Sequence, residues 1–162
     1  MNTIIKPLNP LPITRKNGVI PNSIFLAGTI DMGTSEDWQR KVEEKLLTPH
    51  SDYCILNPRR DVWNPYWKQT IENDNFREQV EWELLALDVC EFIFMYFAPG
   101  SQSPITLLEL GLYAQSKKII VCCPEGYWRR GNVEIVCNRF DVPFYTDLDY
   151  AIEKCRYLRT TK

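Results

Sequence analysis

The sequence has little of what metal centres, exported proteins and nucleic-acid-binding proteins need. It has one histidine, His50, and none of its six cysteines has CxxC spacing, so a Cys/His metal cage has little support. The N-terminus lacks the apolar core of a signal peptide, and no run of about 18 apolar residues occurs. With 19 basic and 21 acidic residues, the net charge of −2 argues against nucleic acid polymers and anionic membranes as partners.

The remaining composition is that of a globular protein of 162 residues, with 44% hydrophobic and 25% charged residues. Most cysteines lie inside apolar runs such as YCIL and IIVCC, where buried thiols are found. We therefore expect reduced cysteines, a cytoplasmic protein, and neither a metal ion nor a cofactor.

Apolar runs alternate with helical patterns along the chain. Residues 1–22, rich in Pro and Asn, are expected to form an N-terminal arm, and residues 23–162 a single domain. Strands are predicted at 23–28, 52–57, 89–97, 117–123 and 142–146. Helices are predicted at 34–47, 76–88, 105–116, 131–140 and 147–158, and the second of them carries Phe76, Val80, Leu84 and Leu87 on one stripe.

This alternation predicts an α/β fold with a parallel sheet. Five strands favour a flavodoxin-like, doubly wound sheet in the order 2-1-3-4-5, with helices on both faces. The ligand crevice of such a fold lies beyond the carboxyl ends of the strands. The loops AGTIDMG, APGSQSPITLLE and PEGYWRRGN would therefore surround the site.

Glu109 is an acid within the apolar helix TLLELGLYA. If Leu108 and Leu112 face the sheet, Glu109 lies about 100° from them, near the mouth of the crevice. It is either a solvated helix residue or a nucleophile facing a pocket. The apolar surroundings predict a raised pKa through desolvation.

Ser103 and Pro104 suit the start of this helix, as N-cap and first helical residue. Ser103 can simply cap the helix, and the free amides there can also hold an anion. The two roles do not exclude each other.

Other candidates for substrate binding lie in the neighbouring loops. Asp31 can bond a sugar hydroxyl or make a turn, and Arg129 can bind phosphate or remain solvated. Trp63, Tyr66 and Trp67 can stack on a nucleobase or pack in a core or subunit contact. The remaining candidates are Gly28, Thr29, Arg59 and Asn132.

The segments IFLAGTID, LALDVCEFIFMYF and SPITLLELGLYAQSKKIIV resemble motifs of the nucleoside 2-deoxyribosyltransferase-like superfamily, over roughly residues 23 to 125. The resemblance implies cleavage of the N-glycosidic bond of a (deoxy)nucleoside or its 5′-monophosphate. Glu109 would attack the anomeric carbon, and water or a second base would resolve the intermediate. A serine at position 103 is similar to the 5′-monophosphate N-hydrolases, in which it binds phosphate.

The chain departs from the superfamily at the helix before the third strand. An Asp that helps to protonate the leaving base is usual there, whereas this chain has FREQVEWELL. Glu78 or Glu81 can replace it, or the acid is missing. Two alternatives therefore stay open: a catalytically silent nucleotide-binding module and an NAD-type glycohydrolase. Superfamily members often complete each site with a neighbour's residues, which implies a homodimer or larger homo-oligomer.

Overall fold

Six apolar segments form one parallel sheet in the computed structural model, which describes residues 1–13, 18–30, 35–61, 64 and 66–158. The strands are β1 (Thr3–Ile5), β2 (Ile20–Gly28), β3 (Cys54–Leu56), β4 (Cys90–Tyr96), β5 (Ile119–Cys122) and β6 (Phe144–Tyr145). Their order across the sheet is β1-β3-β2-β4-β5-β6. The central strands β2 and β4 are buried almost throughout, as expected of a parallel sheet covered on both faces.

The α/β class and the parallel sheet are confirmed, but the five-stranded sheet is wrong. A sixth strand, β1, comes from the segment predicted as an N-terminal arm and pairs with β3 through Thr3, Ile4 and Ile5. Only Ile5 of these three residues is buried. So short an edge strand leaves no apolar run or alternation in the sequence, which is why pattern alone missed it.

Helices cover both faces of the sheet. They are α1 (Trp38–Leu46), α2 (Asp74–Val89), α3 (Pro104–Tyr113), α4 (Arg130–Phe140) and α5 (Leu148–Leu158). Residues of α2, α3 and α4 share one core cluster with the sheet, and residues of α1 and α5 share the other. Since α3 connects β4 to β5, it lies between α2 and α4 on their face. Within the described ranges, no helix is long and apolar enough to cross a bilayer.

The inward faces of two helices differ from the expectation. In α3, Leu108 and Leu112 are 59% and 58% exposed, and the buried side chains are Thr106, Glu109 and Leu110. In α2, Leu84 is 40% exposed, and the buried stripe consists of Gln79, Trp82, Ala86, Leu87 and Val89. Both helices are apolar on two sides, so periodicity did not decide which side faces the sheet.

Candidate functional site

Glu109 lies on the buried face of α3, with 8% of its surface exposed. Among the residues that the structure describes, none donates a hydrogen bond to its carboxylate. Burial, and to a smaller extent the charge of Glu83, raise its pKa to about 8. Glu109 is therefore a desolvated acid, as the apolar sequence around it predicts, and not a solvated helix residue.

Glu83 is the partner that the sequence interpretation missed. It is a half-buried residue of α2, and burial raises its pKa to about 7. Two carboxyl groups with raised pKa values that lie close enough to interact titrate as a pair, and this pair holds one proton near neutral pH. This is the environment in which one carboxyl can act as an acid while the other is ionised.

A hydrogen-bonded chain holds Glu83 in place. Gln79, which is 3% exposed, donates from Nε2 to Glu83 Oε1 at 2.5 Å, and Arg60 donates from Nε to Gln79 Oε1 at 2.5 Å. The Arg60 guanidinium also stacks on the Trp67 ring, 4.7 Å from its centroid. Its Nη2 is buried and has no hydrogen-bond partner in the described part of the chain. Gln79 and the Arg60 charge both lower the pKa of Glu83, against the effect of burial.

The two acids chosen from the sequence, Glu78 and Glu81, are exposed on α2. Glu81 lies 3.8 Å from Arg77 in an exposed ion pair. Neither shares the inward side of α2 with Glu83. The signal that could have found Glu83 is its spacing from Gln79 and Ala86, which puts it at the edge of the buried stripe.

Ser103 is the residue before α3, yet its side chain does not cap the helix. Its backbone is left-handed, with φ 45° and ψ 52°, an uncommon conformation for a serine. Its hydroxyl lies 2.5 Å from Thr29 Oγ1 and 2.9 Å from Ser101 Oγ. Thr29 and Ser101 are 3.0 Å apart, so three buried hydroxyls form a closed cluster between the ends of β2 and β4 and helix α3.

Gly28 ends β2 beside this cluster with φ 153°. A Cβ there would lie 2.4 Å from the Tyr96 carbonyl oxygen and 2.7 Å from the Trp38 ring. The position therefore needs glycine because β4 and α1 pack against it. This packing alone is enough to require glycine at this position.

The loop between β5 and α4 is fastened to the start of α3. Tyr127 Oη and Trp128 Nε1 donate to the Gln102 carbonyl at 2.8 and 3.1 Å. The Arg129 guanidinium lies 4.2 Å from the Trp128 ring centroid. The exposed Arg129 guanidinium is thus held near Gln102, the residue that precedes Ser103. Asn132 is exposed on α4.

Arg59 is committed elsewhere. It donates to the carbonyl oxygens of Ser35 and Glu36 at 2.8 and 3.3 Å, which ties the β3–α2 loop to the segment before α1.

The remaining candidates lie in different places. Pro104 is the first residue of α3, and Tyr66 is 89% exposed. Asp31 and Trp63 lie outside the described residues. The described ranges contain no group of three or more His, Cys, Asp or Glu placed to hold a metal ion.

The carboxylate pair, the hydroxyl cluster and the β5–α4 loop as far as Tyr127 belong to the segment that matches a family model, whereas Trp128 and Arg129 lie just beyond it. The model described as nucleoside 2-deoxyribosyltransferase like matches residues 21–127. No curated protein matches the chain. The family match covers well over half of the sequence, so the chain belongs to the nucleoside 2-deoxyribosyltransferase-like family.

Proposed function

We propose that the protein cleaves the N-glycosidic bond of a (deoxy)nucleoside or nucleoside 5′-monophosphate. The observation that carries this proposal is the buried Glu109 beside Glu83, on neighbouring helices of one sheet face. Family membership supports glycosyl transfer or hydrolysis of nucleosides. The carboxylate pair supplies the two groups that such a reaction uses.

Because the pKa of Glu109 is the higher of the two, the proton of the pair must shift from Glu109 to Glu83 before the reaction. In the first step the Glu109 carboxylate then attacks C1′ of the sugar. The C1′–N bond breaks, its electron pair goes to the base, and the protonated Glu83 carboxyl donates the proton that the base needs to leave. The product is a glycosyl ester on Glu109. Cleavage passes through an oxocarbenium-like transition state, which the Glu109 charge stabilises.

In the second step water or another nucleobase attacks C1′ of the ester. The Glu83 carboxylate accepts the proton of the attacking group, and Glu109 leaves as a carboxylate. The pair thus starts and ends each cycle with one proton. Gln79 and Arg60 keep Glu83 oriented throughout, since two successive hydrogen bonds fix its Oε1.

A nucleotide fits the approach to this pair better than a nucleoside does. The residue before α3 is Ser103 and not an acid, and Arg129 is carried to the same loop by Trp128. The Arg129 cation and a neutral residue at position 103 suit a phosphate dianion, which an aspartate there would repel, while the Ser103 hydroxyl itself is bonded to Thr29 and Ser101. The six cysteines are all free thiols, which supports a reducing compartment such as the cytoplasm.

Incubation with deoxynucleosides, ribonucleosides and their 5′-monophosphates, followed by detection of free base, tests the proposal. Base release that Glu109→Gln abolishes is expected, while a matched exposed change, Glu153→Gln on α5, leaves it intact. Nicotinamide release from NAD alone would favour the glycohydrolase alternative. Tight nucleotide binding with no turnover of any substrate would favour the silent module. Glu83, in the middle of α2, is our candidate for the acid that the sequence seemed to lack.

A further inference from the structure

Thr106 is a buried polar residue of α3 that the proposed glycoside cleavage leaves without a role. It is 3% exposed and lies on the inner face of the helix, as Glu109 does. Residues three apart on a helix are neighbours, so the Thr106 side chain lies about one turn from the Glu109 carboxylate, on the side of Ser103 and the start of α3. Thr106 therefore faces the same space as the proposed nucleophile.

The Thr106 hydroxyl has no hydrogen-bond partner in the part of the chain that the structure describes. A threonine inside a helix commonly donates to the carbonyl oxygen four residues earlier. Here that oxygen belongs to Gln102, which already accepts from Tyr127 Oη and Trp128 Nε1 at 2.8 and 3.1 Å. Because a carbonyl oxygen has two lone pairs, these two donors occupy the acceptor that would otherwise satisfy Thr106.

The space beside Thr106 is open to a ligand. Neither the Thr106 hydroxyl nor the Glu109 carboxylate is fully enclosed by the protein. The fully enclosed side-chain atoms without a partner in the described ranges are nitrogens: Gln39 Nε2, Arg60 Nη2 and Arg130 Nε. A buried hydroxyl that bonds to no described residue does not hold the fold together, so its partner is to be sought in the substrate.

The order of the polar groups along α3 defines the direction of a bound nucleotide. Ser103, Thr106 and Glu109 follow one another at intervals of three residues, and a helix rises about 4.5 Å over each interval. In the proposed reaction the 5′-phosphate lies at the Ser103 end, near Arg129, and C1′ lies at Glu109. The sugar ring, which joins the phosphate to C1′, therefore lies alongside Thr106.

Among the polar atoms of a deoxyribose ring, the 3′-hydroxyl suits Thr106 best. The ring oxygen O4′ shares its electrons with C1′ in the oxocarbenium-like transition state, so a hydrogen bond donated to O4′ would oppose cleavage. The 3′-hydroxyl takes no part in the bonds that break and form. It both donates and accepts, so the Thr106 hydroxyl can bond to it in either direction.

We propose that the Thr106 hydroxyl binds the 3′-hydroxyl of the substrate sugar and so holds C1′ in front of Glu109. For the identity of the ligand, this inference rests on the proposed function. A hydrogen bond to a fixed point of the ring orients C1′ towards the carboxylate, which raises the fraction of bound substrate that is placed to react. Thr106 is thus a substrate-positioning residue, and the protein should discriminate against sugars that lack the 3′-hydroxyl.

A cycle of two enzymes and two substrates tests the contact. Wild type and Thr106→Val are each assayed for base release from a 2′-deoxynucleoside 5′-monophosphate and from its 2′,3′-dideoxy analogue. Thr106→Val should lower kcat/KM by about 10- to 100-fold for the deoxynucleotide and by less than about twofold for the dideoxynucleotide. Differences in the intrinsic reactivity of the two sugars cancel, because each substrate is compared with itself. An equal loss on both substrates, or no loss on either, overturns the contact.

Stability and a conservative variant separate this role from a structural one. Thr106→Val should leave the free energy of unfolding unchanged or raise it, because the hydroxyl bonds to none of the described residues. Thr29→Val, which removes a buried hydroxyl bonded to Ser101 and Ser103, should lower it. Thr106→Ser keeps the hydroxyl and should restore most of kcat/KM for the deoxynucleotide. A Thr106→Val chain as unstable as Thr29→Val, or a serine variant as slow as the valine one, overturns the role.

Calorimetry with 1,2-dideoxyribose 5-phosphate keeps this inference distinct from the proposed function. The compound has the 5-phosphate and the 3-hydroxyl but no base, so its binding needs no cleavage. Wild type should bind it at least about tenfold more tightly than Thr106→Val does. Equal binding by both chains, or none by wild type, overturns the Thr106 contact even where base release occurs. Binding that depends on Thr106 without base release from any substrate supports the contact and contradicts the proposed cleavage.

Discussion

The charge of Glu83 on α2 and the burial of Glu109 on α3 both raise the pKa of Glu109. The pKa of Glu83 is also above its ordinary range. Desolvation is the larger cause for each. Gln79, which donates a hydrogen bond to Glu83, and the charge of Arg60, which bonds to Gln79, both favour the charged form of Glu83, and neither contributes to the pKa of Glu109. The two acids therefore differ in their surroundings, and this difference allows them to take different roles in one reaction.

Substitution of Glu109 by Gln should remove base release. The amide keeps the size of the side chain but cannot form the glycosyl ester, so kcat should fall by a factor on the order of 10³ or more. Trapping of the intermediate with a slow-reacting 2-fluoro sugar, followed by peptide mass spectrometry, should place the label on Glu109. A label on another residue, or base release as fast as in wild type, contradicts the mechanism.

Substitution of Glu83 by Gln should lower kcat with natural bases by about 10² to 10⁴-fold, because the leaving base loses its proton donor. A substrate whose leaving group needs no proton, such as a p-nitrophenyl 2-deoxyriboside, should be cleaved at a rate much closer to wild type. A merely structural role would slow both substrates equally. A larger loss in Glu81→Gln than in Glu83→Gln would return the role to the candidate chosen from the sequence.

The raised pKa of Glu109 should make the free energy of unfolding depend on pH. The folded chain binds this proton with a pKa of about 8 against an ordinary 4.5, so stability is lost as the pH rises from the lower value to the higher. Glu109→Gln should therefore stabilise the fold by up to about 5 kcal/mol at alkaline pH and by almost nothing at acidic pH. Urea unfolding at several pH values measures this. An equal gain at both ends of the range would mean that packing, and not ionisation, causes it.

The strands and their parallel arrangement could be predicted because each central strand is a continuous apolar run, as in IFLAG and EFIFMYF. The desolvation of Glu109 could be predicted because an acid between leucines on a helix has apolar neighbours on both sides. The β1 strand could not, since its pairing with β3 depends on chain segments about 50 residues apart, Thr3 and Cys54 among them. Local pattern carries no information about such a contact.

The sequence did not predict Glu83 as the neighbour of Glu109, nor the left-handed backbone of Ser103, and the reasons are related. Helix α2 has aliphatic residues on two sides. The sequence-based stripe placed Leu84 on the buried side, which implied that Glu83 points away from Glu109, whereas Leu84 is exposed. Ser103 occupies the expected place before α3, but its left-handed backbone directs the hydroxyl to Thr29 and Ser101 and not to the helix amides. Only tertiary packing decides between these possibilities.

Replacement of Ser103 by Asp should shift preference from nucleotide to nucleoside. Asp tolerates the left-handed conformation, and its charge would repel a 5′-phosphate near Arg129. The ratio of kcat/KM for a 5′-monophosphate to that for its nucleoside should fall by about 100-fold. Arg129→Ala should lower the same ratio more modestly, about threefold to tenfold, because the guanidinium is exposed. An Arg139→Ala control on the exposed side of α4 should leave the ratio unchanged. If Ser103→Asp and Arg129→Ala also leave it unchanged, phosphate recognition at the start of α3 is contradicted.

Replacement of Gly28 by Ala should destabilise the fold by about 2 to 4 kcal/mol, because its Cβ meets backbone at Tyr96 and the fixed ring of Trp38. The clash at 2.4 Å is with a carbonyl oxygen that also accepts from the Thr29 amide at 3.1 Å. Any shift of Tyr96 would therefore move Thr29 and the hydroxyl cluster. Gly131→Ala is the matched control, since no atom lies within 4 Å of its Cβ, and it should be neutral or slightly stabilising. Thermal and urea unfolding give the comparison, and an unchanged unfolding free energy for Gly28→Ala would contradict the close packing of β2 against β4.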